Sequence, residues 1–376
     1  MDTLREVRRI NESSPTSAAI EAWKEASGQV VGWACTYVPE EIIYAAGALP
    51  VRVVADAKEM ELGDANAYLY TTSCSYTRSC LQLALEHKFD FLDGIVGAAS
   101  CDGMRRLMDM WRNYIPTPFN HTIVVPRKWT DWAHELFLTE LVSFKEKLES
   151  FLGVSITDEV LSDAIRVYNH SRKLLLALSE MRKGESPPVS GAEVLEVLNA
   201  SYRMPRESFN ELLERLLAEV KATNRKLNGQ FRLMLVGSIL NNPDFLVEIE
   251  ELGGLVVTDE LCTGTRYWAD PVEESGPPLE ALARRYLNKF PCPRMQPMHR
   301  RLDRVVDMAR QWRVDGVVTE VIRHCAPHAW DLPFLREKLE QIDIPVLELD
   351  KEYGVGRTGQ VRTRVQAFLE MLEGRS

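Results

Sequence analysis

The sequence predicts an α/β protein built from two similar doubly wound lobes with a helical insertion between them, and three observations carry that prediction. Short apolar runs alternate with amphipathic helical stretches in both halves of the chain, the signature of βαβ units. The landmarks of the first half recur in order in the second: Gly32, Pro39, Gly47 and Val51 are matched by Gly237, Pro243, Gly253 and Leu255. Between them, from Trp132 to about Glu219, the apolar spacing is helical almost throughout.

Taken in order, residues 1–28 are charged and helical in pattern. Val30 to Trp33 reads as a short strand, with Cys35 just beyond it. Pro39 suits the first turn of the next helix, and Glu40 and Glu41 complement its dipole. That helix, EEIIYAAGA, stops at Gly47, and Leu49 to Val54 resumes as a strand. A helix beginning near Tyr76 follows Cys74, then a buried strand over Phe91 to Ala99, then a helix opened by Asp102-Gly103 after Cys101. The helical stretch contains ELFLTELVSFKEKLESFLG and DEVLSDAIRVYNHSRKLLLALSEMR, broken by the turn-rich KGESPPVSG. In the second copy Phe231 to Gly237 is a strand, Pro243 opens a helix, and Leu255 to Thr258 is the next strand. Val314-Asp315-Gly316-Val317-Val318, ending at Cys325, echoes Leu92-Asp93-Gly94-Ile95-Val96, ending at Cys101. The division expected is an N-terminal helical segment (1–28), a first lobe (29–131), a helical linker domain (132–229) and a second lobe (230–376).

With 376 residues, the chain is long enough for two or three domains at roughly 150 residues each. A net charge of -10 leaves no basic footprint for nucleic acid or an anionic membrane. The start lacks the apolar core of a secretory signal, and no apolar run reaches membrane-spanning length, so a cytoplasmic location is expected. Seven cysteines in a reducing compartment are not a disulfide framework. Metal ligation is the stronger use for several of them.

Six of the seven fall in predicted loops at the carboxyl ends of strands or the starts of helices: Cys35, Cys74 and Cys101 in the first lobe, Cys262, Cys292 and Cys325 in the second. In open α/β sheets those loops face the ligand crevice. Cys74 also precedes a helix N-terminus, whose dipole favours the thiolate that metals bind. A lone cysteine is more often a small core residue, and Cys80, on the helix after Cys74, reads that way. Three of the other six are flanked by turn or small residues: Ser73-Cys74-Ser75, Leu261-Cys262-Thr263-Gly264 and Pro291-Cys292-Pro293. Soft thiolates select zinc or iron–sulfur clusters. No close C-x-x-C pair of the structural-zinc kind occurs, whereas widely separated thiols suit an iron–sulfur cluster held between lobes.

Gly354, Gly356 and Gly359 satisfy G-x-G-x-x-G after IPVLELD, but the chain ends one helix later, so a flexible loop near the cleft, or packing of the last helix, is expected rather than a dinucleotide site. No G-x-x-x-x-G-K-[ST] is present. His324 and His328 flank Cys325 and are candidate proton donors or partners of a cluster sulfur. Tyr76, Arg78 and Arg266 are expected on solvated helix faces.

At VPEEIIYAAGALPV, SCSYTRS, DFLDGIVGAASCDGMRRL, LCTGTRYW, RRYLNKFPCPRM, VDGVVTEVIRHCAPHAWDLP and GQVRTRVQAFLEML the sequence resembles the benzoyl-CoA reductase and 2-hydroxyacyl-CoA dehydratase superfamily, nearly end to end. Members of that superfamily generally use three cysteines for one cubane, and the matching positions are Cys74, Cys101 and Cys325. The additional Cys35, Cys262 and Cys292 look like the double-cubane cluster protein branch, in which six cysteines hold two cubanes joined by a bridging sulfide. The resemblance implies a cluster in the cleft between lobes, an ATP-hydrolysing iron–sulfur activator that delivers low-potential electrons, a homodimer, and a small-molecule substrate. Around Cys325, the residues Pro327, His328 and Asp331 look closer to the CoA-thioester branch. The alternative is therefore a dehydratase or benzoyl-CoA reductase subunit with a single four-iron cluster, a heterodimer partner and an acyl-CoA substrate. A non-catalytic two-lobed protein holding a ligand or zinc is the third reading.

Overall fold

A computed structural model describes residues 1–55, 60–354 and 356–375. Two helices, α1 (Asp2–Glu12) and α2 (Ala18–Glu25), lead into the first sheet, made of β1 (Val30–Ala34), β2 (Leu49–Arg52), β3 (Gly94–Ala99) and β4 (Phe119–Val124). Its helices are α3 (Glu40–Ala45), α4 (Ala65–Tyr68), α5 (Ser75–Leu85) and α6 (Asp102–Tyr114). A helical stretch follows: α7 (Asp131–Leu152), α8 (Asp158–Glu180), α9 (Gly191–Ala200) and α10 (Arg206–Ala222). The second sheet contains β5 (Phe231–Gly237), β6 (Gly254–Glu260), β7 (Gly316–Ile322) and β8 (Val346–Lys351). Around it lie α11 (Asp244–Glu251), α12 (Thr265–Trp268), α13 (Pro278–Asn288), α14 (His299–Gln311), α15 (Ala326–Glu340) and α16 (Gly359–Glu373).

Both sheets are parallel, and their strand orders are the same: β2-β1-β3-β4 and β6-β5-β7-β8. The two-lobed α/β fold is the one the internal repeat predicts. A parallel sheet must be covered on both faces, and each sheet here separates two apolar cores. Val31, Trp33, Val96 and Ile123 face the helical stretch through Phe137, Phe144 and Leu213, while Val30, Ile95, Leu81 and Trp111 form the opposite core. In the second lobe Leu233 and Leu235 pack with Phe245 and Val365, and Met234 and Val236 with Val305 and Leu339.

The strand over Phe91 to Ala99 is shorter than expected, starting at Gly94. The reason is Asp93, whose carboxylate leaves the sheet to accept from Lys24 Nζ at 2.8 Å and Val30 N at 2.7 Å. Close packing also fixes the helix after β3. A Cβ on Gly97 would lie 2.2 Å from the Met108 sulfur, so α6 lies tight on the strand that delivers Cys101.

The helical stretch is fastened to both lobes by buried charge. Arg172 Nη2 donates to Glu41 Oε1 at 2.5 Å, Tyr286 donates to Glu41 Oε2 at 2.8 Å, and Arg206 Nη2 donates to Glu40 Oε2 at 2.9 Å. The lobes also touch directly: Asn241 Nδ2 and the Tyr353 hydroxyl both donate to Ala55 O, at 2.8 and 3.1 Å. Among the described residues no helix is long and apolar enough to cross a membrane.

Candidate metal centre

Each sheet changes winding direction between its two central strands, β1 and β3 in the first lobe and β5 and β7 in the second. The crevice at the carboxyl ends of such strands is where open α/β sheets gather ligands. Cys35 follows β1 and Cys101 follows β3, and the Cys35 sulfur lies 3.2 Å from Ser100 Oγ across that switch. In the second lobe Ser238 follows β5 and Cys325 follows β7; Ser238 Oγ accepts from Ile322 N at 3.4 Å and hydrogen-bonds the Cys325 thiol. Ser238 thus stands where the first lobe has Cys35.

Cys74, Cys101 and Cys325 are the N-cap residues of α5, α6 and α15. Each sulfur faces backbone N–H groups of its own first turn: Tyr76 and Thr77 for Cys74, Met104 for Cys101, His328 for Cys325. Those orphan donors and the helix dipole favour a thiolate once a metal removes the proton. Cys262 follows β6, donates its N–H to Ser238 O at 3.0 Å, and receives a 3.2 Å hydrogen bond on sulfur from Arg266 Nη2. Cys292 lies between α13 and α14, its N–H donating to the Tyr37 hydroxyl at 3.5 Å.

The six thiols form one electrostatic neighbourhood. Cys74 is influenced by Cys101 and Cys325, Cys101 by Cys35, Cys292 and Cys325, and both Cys292 and Cys325 by Cys262. Burial first, and the neighbouring thiols second, push Cys74 well above the ordinary thiol range and Cys101 up to about 12. Burial likewise pushes Cys292 up to about 12, against the pull of Arg266. Cys74, Cys101 and Cys292 therefore keep their protons until a metal displaces them. Cys80, on α5, is fully buried within the apolar core and is pushed up to about 12 by burial, as a packing residue should be.

Among the described residues no three Cys, His, Asp or Glu side chains converge closely enough to share one ion. The donor set itself, six thiols on separate loops of the two lobes, is of the kind that a multi-iron cluster takes one per iron.

The surroundings differ from expectation in one respect. Tyr76, Arg78 and Arg266 are buried rather than solvated. Tyr76 donates to Val53 O at 3.0 Å and Arg78 Nε to Ser73 O at 3.1 Å, which fixes the loop carrying Cys74. Arg266 is 1 % exposed and links the thiols to a buried carboxylate: Nη1 is 2.8 Å from Glu260 Oε1, and Nη2 donates to Gly237 O and Ser238 O at 2.6 and 2.9 Å. Arg301 bridges Glu260 to Asp331 behind it. The burial of Arg266 follows from tertiary packing, because α12 is a single short turn enclosed by β6 and α8.

His328 is buried with Nε2 3.3 Å from Arg266 Nη1. A guanidinium only donates, so Nε2 accepts and the imidazole proton sits on Nδ1. Burial, then Arg266 and Arg301, hold His328 well below the usual imidazole range, so it is neutral. His324 is exposed in a left-handed turn (φ 66°), so of the two candidates only His328 lies within the buried network around Cys262. The glycine-rich segment meets the loop before α11: Asn242 Nδ2 donates to Gly354 O at 3.3 Å, and a Cβ on Gly356 would lie 2.7 Å from that same nitrogen.

Three polar residues that the sequence did not single out also join the site. Lys289 is 2 % exposed, donates to Arg266 O at 2.8 Å, lies 4.9 Å from the Tyr37 ring, and senses Cys35 and Cys262. Burial, then Arg285, hold its amine well below the usual lysine range. Tyr37 and Arg52 are the other two. The one signal in the sequence was the run of cations around Cys292 in RRYLNKFPCPRM.

The sequence model of the family described as 2-hydroxyglutaryl-CoA dehydratase, D-component matches residues 35–372. The chain is 30% identical over 360 residues to an Escherichia coli (strain K12) protein provisionally named a dehydratase subunit, covering 93% of each. It is 26% identical to a benzoyl-CoA reductase subunit of Thauera aromatica, over 94% of each chain. It is also 26% identical to the (R)-phenyllactyl-CoA dehydratase beta subunit of Clostridium sporogenes, over 96% of each chain.

Proposed function

We propose, from the premise that this chain belongs to the 2-hydroxyglutaryl-CoA dehydratase D-component family, that it is the iron–sulfur component of an ATP-activator-dependent reductase. Cys35, Cys74, Cys101, Cys262, Cys292 and Cys325 would hold a double-cubane cluster of roughly eight irons. The observation that carries this reading is the electrostatic neighbourhood shared by six separate thiols from both lobes, with the seventh, Cys80, in an apolar core. When bound, the cluster supplies low-potential electrons, delivered one at a time by a partner that hydrolyses ATP.

The chain's own residues supply the rest. The first turns of α5, α6 and α15 hold the Cys74, Cys101 and Cys325 sulfurs against N–H donors, lowering the cost of negative charge there. Arg266 orients the Cys262 sulfur while Glu260 holds Arg266 in place. His328 carries a proton at Nδ1, with its ring direction set by Arg266. Lys289, its amine held well below the usual lysine range by burial, donates to the Arg266 carbonyl near Cys35 and Cys262. His328 and Lys289 are therefore the groups placed to hold protons beside a substrate being reduced.

A second reading is supported by the relatives' names, which include benzoyl-CoA reductase and acyl-CoA dehydratase subunits. On it, Cys74, Cys101 and Cys325 alone bind one cubane, and a second subunit and an acyl-CoA substrate complete the site. Replacing Cys35, Cys262 and Cys292 singly by Ser separates the two. Under the first reading each replacement lowers iron per chain in anaerobically reconstituted protein; unchanged iron in all three selects the second.

A further inference from the structure

Arg52 ends β2, in parallel register with Trp33 of β1, two residues before Cys35. It is 2 % exposed, and its guanidinium lies among three aromatic rings, 4.9 Å from the Trp33 centroid, 4.7 Å from Tyr202 and 5.8 Å from Tyr267. Tyr202 donates its hydroxyl to Thr263 O at 2.9 Å, the carbonyl next to Cys262. Arg52 therefore sits between the loop that carries Cys35 and the loop that carries Cys262.

Its hydrogen bonding is incomplete. Arg52 Nε and Nη1 have no partner, nor has Nε1 of the adjoining Trp33. No carboxylate pairs with Arg52 among the described residues, whereas Arg206, which donates to the Tyr267 hydroxyl, and Arg266, which donates to the Cys262 sulfur, each have one. Aromatic faces attract a desolvated cation, but they are a poor substitute for a counter-ion against the penalty of burying a charge. Burial works against the charge, while Tyr202, Tyr76 and then the Cys262 thiol strengthen it; of these, a cysteine is the group that carries full negative charge once it binds metal.

We propose that Arg52 is the buried counter-cation of the thiolate centre, set beside the loops that carry Cys35 and Cys262, and that its fixed charge raises the reduction potential of that centre. The inference rests on the cluster reading above. It makes Arg52 a positioning residue that acts through electrostatics: a nearby positive charge stabilises the reduced, more negative state of a cluster. Arginine is suited to this because it stays protonated even when buried.

The test is an EPR-monitored redox titration of anaerobically reconstituted protein, with iron measured on the same samples. Arg52→Met and Arg52→Gln remove the charge, Arg52→Lys keeps it, and Trp33→Phe removes only a neutral N–H. The expected result is a midpoint potential lowered in both uncharged variants by at least tenfold in the one-electron equilibrium, ~59 mV. Arg52→Lys and Trp33→Phe should stay near the parent. An unchanged midpoint at full iron in either uncharged variant overturns the proposal, and so does an equal shift in Arg52→Lys. Loss of the fold in the metal-free forms of both uncharged variants overturns it as well, because Arg52 would then be a structural residue. Iron per chain in the parent judges the cluster reading separately: about four irons contradicts the double cubane whatever Arg52 does.

Discussion

Arg266 Nη2 donates to the Cys262 sulfur at 3.2 Å while Arg266 Nη1 lies 2.8 Å from Glu260 Oε1, so one buried guanidinium ties a candidate ligand to a buried carboxylate. Removing it leaves Glu260 with Arg301 alone and strips the sulfur of its donor. Arg266→Met should destabilise the protein by about 3–5 kcal/mol and lower iron retention. Urea unfolding and iron analysis read the two effects. Arg266→Lys, which keeps charge but not the fork, should fall between parent and Met.

The Glu41–Arg172 pair at 2.5 Å anchors α8 to α3 out of water. Burial favours the protonated acid, yet Arg172 and Arg285 together hold Glu41 below the usual carboxylate range. Arg172→Met alone should cost about 3–5 kcal/mol by orphaning the carboxylate. Adding Glu41→Gln should recover much of that loss, a coupling that a double-mutant cycle in denaturant measures.

His121 on β4 lies between Phe119 and Phe144, with ring centroids at 6.4 and 5.4 Å, and its Nε2 has no partner. Burial, with help from Lys147, lowers its pKa to about 4. Between about pH 6.5 and 4 the unfolded chain binds a proton that the folded one does not, so stability falls as pH falls through that window. After allowance for partial solvent screening the loss should be on the order of 1–2 kcal/mol. His121→Phe should flatten that part of the acid limb in thermal melts, and an unaltered limb would show that other groups set it.

Cys80, buried in the α5 core, should be dispensable to the metal site. Cys80→Ala should leave iron per chain unchanged and cost about 1 kcal/mol from a small cavity. Iron loss in this variant would place a seventh thiol among the ligands.

Much of the fold was legible because the repeat is written in punctuation residues. Gly47 and Gly253 have positive φ where α3 and α11 end, and Pro39 and Pro243 open those helices, so the matching of halves reflects real backbone demands. The fourth strand of the first sheet was not read, since Asn120, His121 and Thr122 break its apolar run at the sheet edge. Cys35, Cys101, Cys262 and Cys325 could be placed at strand ends because each follows a short apolar strand, whereas Cys74 and Cys292 lie between helices. Their cationic surroundings could not. Arg52, Arg266 and Lys289 look like surface residues in one dimension, and only the packing of α12, α13 and the two lobes buries them.

Iron and acid-labile sulfide per chain, measured on protein purified without oxygen, test the central claim most directly. The account predicts about eight irons per chain, held by six thiolates drawn from both lobes. About four irons would contradict it, leaving Cys35, Cys262 and Cys292 as structural residues.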